Sequence, residues 1–155
     1  MNTLLIIALL ILFGLVPAHA FSDAELIERY CAGMNTQFNN PDHTRTDCIS
    51  GTHAIEVDFS KDFKTALGQA LHYALWTKDI AENPDTWARW YRQVPTPRKA
   101  GIIFTCSEDR RLETCADQVV RMKRIVEEYH LPLTIWDCNP KEDMALGDCL
   151  KIDYP

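Results

Sequence analysis

Apolar and polar positions alternate along the chain with two different periods, and the changes of period mark the elements. Ser22 followed by Glu25 is a capping-box start. It predicts a helix from Asp23 to about Cys31 that ends near Gly33. Asn35 to Asn40 is polar, and Pro41-Asp42-His43 has turn chemistry, so this stretch reads as a turn-rich connection. Thr44 to Ile49 and His53 to Phe59 are short runs with β-branched residues, separated by Ser50-Gly51-Thr52, and predict a hairpin. Ser60 is an N-cap for a helix to about Thr77, with Phe63, Ala66, Leu67, Ala70 and Ala74 as its buried stripe. Ile80 to Ala100 is irregular, with helical turns expected around Trp87 to Arg92. Gly101 to Thr105 reads as a buried strand. Ser107 caps a long amphipathic helix to about His130, with Val119, Met122, Val126 and Tyr129 inward. Leu133 to Trp136 is the last strand, and Asn139 to Pro155 a short capped tail. The order helix, hairpin, helix, strand, helix, strand predicts an α/β sandwich around a mixed sheet, with a parallel crossover from Gly101 to Trp136.

The first twenty residues stand outside this pattern. They hold no Asp, Glu, Lys or Arg, and an apolar run from Leu4 to Val16 precedes Ala18-His19-Ala20. This is the layout of a secretory signal peptide cleaved before Phe21. Residues 21–155 then form one domain, exported to the periplasm or secreted, with no further run suited to membrane insertion. Six cysteines follow the leader: Cys31, Cys48, Cys106, Cys115, Cys138 and Cys149. An even count behind a leader predicts disulfides. Nearest-neighbour pairing is the simplest of the many connectivities. Without CxxC or finger-type Cys–His spacing, zinc and thioredoxin-like chemistry are disfavoured. With 22 acidic against 16 basic residues, the net charge of -6 disfavours coating of nucleic acid by bulk charge.

Chemistry concentrates in Arg45-Thr46-Asp47-Cys48 and His53-Ala54-Ile55-Glu56-Val57-Asp58-Phe59. Alternation along a strand puts Glu56 and Asp58 on one face, with Asp47 opposite or diagonal on the neighbouring strand. Three carboxylates there either face water or are relieved by protonation, partner bases or a divalent cation. Oxygen-only ligands suit Mg²⁺ or Mn²⁺. On the next helix, Asp62, Gln69 and Tyr73 share a narrow stripe. Lys61 lies about 80° round from Gln69 and Lys64 about 140°, so Lys61 is the better candidate cation. His72 points to the opposite side from the apolar stripe and is expected in solvent. Thr86 to Ala100 carries Arg89, Arg92, Arg98 and Lys99 without an acid, interleaved with Trp87, Trp90 and Tyr91. Such a mixture suits phosphate contact and base stacking, or else a lid whose aromatics cover the sandwich.

Asp47, Glu56-Val57-Asp58 and Gln69-x-x-x-Tyr73, in that order, resemble the PD-(D/E)XK nuclease superfamily, and "RTDC", "HAIEVDF" and "GQALHYA" resemble its small uncharacterised bacterial members. The resemblance implies a restriction-endonuclease-like fold and metal-dependent phosphodiester hydrolysis. Asp47 and Glu56, with Asp58, would be metal ligands, and Asp47, Glu56, Lys61 and Gln69 the catalytic set. Arg45, Tyr73, Arg89, Arg92, Arg98 and Lys99 are the candidates for contact with DNA or another nucleic acid. Asp58 stands where the motif has Lys, and Lys61 would be its relocated counterpart. Gln37 stands where small relatives carry Glu. The alternatives are a catalytically degenerate binding protein of this fold and a disulfide-stabilised exported domain that engages another protein.

Overall fold

The computed structural model describes residues 21–87, 96–106, 112–138 and 145–155. The expected leader, the expected cap Ser107, and Arg89, Trp90, Tyr91 and Arg92 lie outside these residues. Helix α1, Asp23–Tyr30, begins at the expected capping box, where Ser22 N donates to Glu25 Oε2 at 2.7 Å and Glu25 N to Ser22 Oγ at 3.4 Å. Strands β1 (Asn35–Asn39), β2 (Arg45–Ile49) and β3 (His53–Phe59) follow, then a 3-10 turn, Ser60–Asp62, that leads into α2, Phe63–Glu82. A four-residue helix α3, Pro84–Trp87, precedes β4 (Lys99–Thr105), α4 (Leu112–Glu128), β5 (Leu133–Cys138) and β6 (Leu150–Asp153).

The six strands lie in chain order, β1-β2-β3-β4-β5-β6. The outer pairings are antiparallel, while β3–β4 and β4–β5 are parallel. The hairpin and the parallel crossover were both legible in the sequence. The sheet has two buried faces. On one, Leu26 and Tyr30 of α1 pack on Ile55, Val57, Ile103 and Trp136. On the other, Ala66 and Ala70 of α2 and Val119, Met122 and Val126 of α4 pack on Ile102, Phe104 and Ile135. The result is a three-layer α/β sandwich with a mixed sheet. No helix among the described residues is long and apolar enough to cross a membrane.

Several expectations need correction. Asn35–Asn39 is a strand and not a turn: its residues are polar because an edge strand needs only one covered face. Helix α2 continues past Thr77 to Glu82, since Thr77 and Ile80 are still buried. Helix α4 stops at Glu128, which leaves Tyr129 71% exposed instead of inward. The tail adds a sixth strand, with Ile152 paired to Ile135.

Three disulfides join sequence neighbours: Cys31–Cys48, Cys106–Cys115 and Cys138–Cys149. Such bridges are typical of exported proteins. The first ties the end of α1 to β2, beside Asp47.

Candidate functional site

Register builds the site. Cys48 pairs with Ile55 and Ile49 with Ala54, so the same antiparallel register sets Asp47 opposite Glu56 and Thr46 opposite Val57. The ladder opens there. Val57 N donates not to the facing strand backbone but to Asp47 Oδ2, at 3.0 Å. The Asp47 side chain thus parts β2 from β3 and forms a notch. On its other side, the β1–β2 register sets Gln37 opposite Asp47. Gln37 has φ 55, a left-handed backbone inside a strand, and its Nε2 reaches Asp47 Oδ1 at 3.5 Å. A non-glycine residue held in this region is uncommon, and sparsely populated backbone conformations cluster at functional sites.

Glu56 is 7% exposed, so it does not face water. It shares a hydrogen bond with Asp47. Among the described residues nothing reaches its other oxygen, Oε2, which is fully buried. Burial pushes its carboxyl up to about 9, and the charges of Asp47 and Asp58 push the same way. Asp47 is raised by burial too, against the Val57 N–H and Arg45, which favour its charged form. The pair therefore holds a proton on Glu56, because among the described residues only Asp47 of the two has donors that stabilise an anion. Asp58, two residues along the same face, accepts from Phe59 N at 2.7 Å and is pushed up to about 6, chiefly by burial.

Helix α2 closes the notch. Gln69 Nε2 donates to Tyr73 Oη at 3.1 Å. Tyr73 is buried, and burial followed by the Glu56 charge pushes its hydroxyl up to about 12. The predicted residues Asp47, Glu56, Asp58 and Tyr73 thus act on one another electrostatically, with Gln69 bonded to the tyrosine. Sequence reasoning missed Asp23, in the first turn of α1, whose charge raises all three carboxyls. Its only signal was that of an ordinary first-turn helix acid. Asp23, Gln37, Arg45 and Asp47 line a cleft of about 670 Å³ between α1 and the β1–β2 edge.

Of the basic residues, Arg45 lines the cleft with Asp47 and favours its anion. Lys61 Nζ is 4.0 Å from Asp62 Oδ2 and 5.5 Å from the centre of the Phe59 ring. Phe59 belongs to the α1-side core, the opposite face of β3 from Glu56 and Asp58. Arg98 is fixed to the β2–β3 turn: its Nε donates to Ser50 O at 2.9 Å, and its Nη1 donates to Thr96 O and Oγ1. Lys99 pairs with His53 at the start of β3, three residues from Glu56 and far from Asp58. Arg89 and Arg92 lie outside the described residues.

Glu56 Oε2 offers an orphaned buried acceptor, and the donor set is all oxygen. That chemistry fits a hard divalent ion held by two carboxylates and waters. The described residues hold no group of three or more His, Cys, Asp or Glu arranged to bind a metal. Protein family models, curated proteins and solved structures show no match to this chain.

Proposed function

We propose that the notch is a divalent-cation site of PD-(D/E)XK type, in an exported restriction-endonuclease-like domain that hydrolyses phosphodiester bonds in nucleic acid. The observation that carries this reading is the Asp47–Glu56 carboxyl pair with Glu56 Oε2 buried and unpartnered. An unrelieved pair of this kind is costly, and a cation removes the cost. Asp47 and Glu56 would hold Mg²⁺ or Mn²⁺. When bound, that ion polarises the phosphoryl oxygens and neutralises developing charge. Asp58, at the motif's Lys position and pushed up to about 6, is suited to accept a proton from water near neutrality. Tyr73, buried within reach of the Glu56 charge and bonded by Gln69, would border the site on the α2 side.

A second reading, a binding protein that kept the fold without catalysis, is favoured by Asp58, an acid at the motif's Lys position; Lys61 Nζ lies 4.0 Å from Asp62, whose charge reaches Asp58. The test is incubation of the oxidised mature protein with plasmid DNA, single-stranded DNA and RNA in Mg²⁺, Mn²⁺ or EDTA. Cleavage that needs metal and disappears in Glu56→Ala supports the hydrolase. Binding without cleavage supports the second reading, and neither binding nor cleavage rejects both.

A further inference from the structure

Helix α2 has a glycine with no packing reason. Gly68 lies in the sixth position of a twenty-residue helix, exposed, and a Cβ there would meet nothing within 4 Å. Glycine inside a helix costs about 1 kcal/mol against alanine. The neighbours on its stripe are Lys64 and His72, one turn before and one turn after. Together they form a saddle with a charged post at one end and an imidazole at the other.

The imidazole is deliberately held. His72 Nε2 lies 2.7 Å from Asp42 Oδ2. Asp42 also accepts from Thr44 N at 3.0 Å and from Thr44 Oγ1 at 2.6 Å. Trp76 approaches the same group, its Nε1 lying 2.8 Å from His72 Nε2. These donors hold the Asp42 carboxyl well below the usual carboxylate range and engage its charge. One edge of the His72 ring is thereby anchored, and among the described residues Nδ1 has no partner. The saddle opens into a pocket of about 390 Å³ that Gln69 and Tyr73 also line, together with Asp42, whose carboxylate is engaged by His72, Thr44 and Trp76. The α1-side cleft carries Asp23, Glu28 and Asp47 against Arg45, whereas the saddle pocket sets the one engaged carboxylate of Asp42 against Lys64 and the imidazole.

We propose that this saddle is the docking subsite for a phosphate group of the substrate strand next to the scissile bond. The proposal rests on the hydrolase reading of the notch. Lys64 contacts the phosphate as a point charge, and His72 Nδ1 lies on the other side. Gly68 lets the strand approach the helix backbone, which a side chain would keep at a distance.

The test measures kcat, KM and melting temperature for the full mature chain acting on a single-stranded DNA oligonucleotide with Mn²⁺. The variants are Gly68→Ala, Lys64→Ala and Glu56→Ala. Gly68→Ala is expected to melt a few degrees higher, because it gains helix propensity. Both Gly68→Ala and Lys64→Ala are expected to raise KM about tenfold while kcat stays within about twofold, the sign of a lost ground-state contact. Gly68→Ala and Lys64→Ala with KM near wild type, in an enzyme that Glu56→Ala inactivates, overturn the subsite alone. Absence of cleavage sensitive to Glu56→Ala overturns the hydrolase reading and the subsite with it.

Discussion

Glu56→Gln should stabilise the protein at neutral pH, and by an amount that grows with pH. Unfolded, Glu56 loses its proton near its ordinary value of 4.5; folded, it keeps it up to about 9. Between these values the folded state binds one proton more than the unfolded state, so stability falls as pH rises. The slope for one proton is about 1.4 kcal/mol per pH unit. In the window from about pH 6.5 to about pH 8.5 the difference between wild type and Glu56→Gln isolates Glu56, since Asp47, also raised by burial, is present in both. Asp58, raised to about 6, has largely ionised below that window. His53, whose folded value is lowered, acts chiefly below its ordinary 6.5, and in the opposite direction. Two units give a loss of about 3 kcal/mol, or roughly 8 °C in melting temperature for a chain of this size. Glutamine keeps the shape and can donate to Asp47 as the carboxyl proton did, without a charge to bury. Thermal melts followed by circular dichroism in EDTA across the window read the effect. Wild type should lose roughly 8 °C more than Glu56→Gln across the window. Parallel slopes in the two proteins would refute the reasoning, because they would mean that Glu56 is ionised in the folded state.

Removing the first disulfide with Cys31→Ser and Cys48→Ser opens a link of sequence separation 17 and should cost about 3 kcal/mol in chemical denaturation. Gly101→Ala should cost about 1–3 kcal/mol in the same assay, since its Cβ would lie 2.8 Å from Trp136 Cζ3 and 3.1 Å from Ile55 Cγ1. His53 bridges Thr52 Oγ1 at 2.7 Å and Thr134 Oγ1 at 2.9 Å, so His53→Ala should cost about 2–3 kcal/mol. Burial lowers the folded value of His53, so wild type should also lose stability as pH falls below about 6.5, and His53→Ala should lack that component. Wild type at about pH 8 should melt higher with Mn²⁺ than with EDTA, and Asp47→Asn should abolish the difference.

The parts of the fold that could be read from sequence were those with a repeated physical signal. Ser22 and Glu25 announced α1. Ile55, Val57 and Phe59 against Glu56 and Asp58 announced a strand with two distinct faces. The apolar runs of β4 and β5, on either side of an amphipathic helix, announced the crossover. What escaped was the sheet edges. Asn35–Asn39 and Leu150–Asp153 are exposed along much of their length and carry little alternation, so their pairing is decided by the neighbouring strand. The acidic trio was legible because strand alternation fixes faces. Asp23 was not, since its influence arises from how α1 crosses the sheet. Nor was the Gln37 conformation, because nothing in Asn-Thr-Gln-Phe-Asn requires a left-handed backbone. His72, read as solvated, is exposed and also anchored, because its partner Asp42 lies thirty residues away.

Asp47 takes the amide hydrogen of Val57 in place of the facing strand. That substitution gives the notch a native isotope-exchange reporter. Ile55, whose residue pairs regularly with Cys48, should exchange its amide hydrogen for deuterium only through larger openings of the sheet. Val57 is guarded by a side chain, so its exchange follows whatever engages the Asp47 carboxylate. A ligand that draws Asp47 away speeds Val57 and leaves Ile55 unchanged. A ligand that tightens the whole domain slows both. The two backbone amides together thus distinguish occupancy of the notch from general stabilisation, without a substrate.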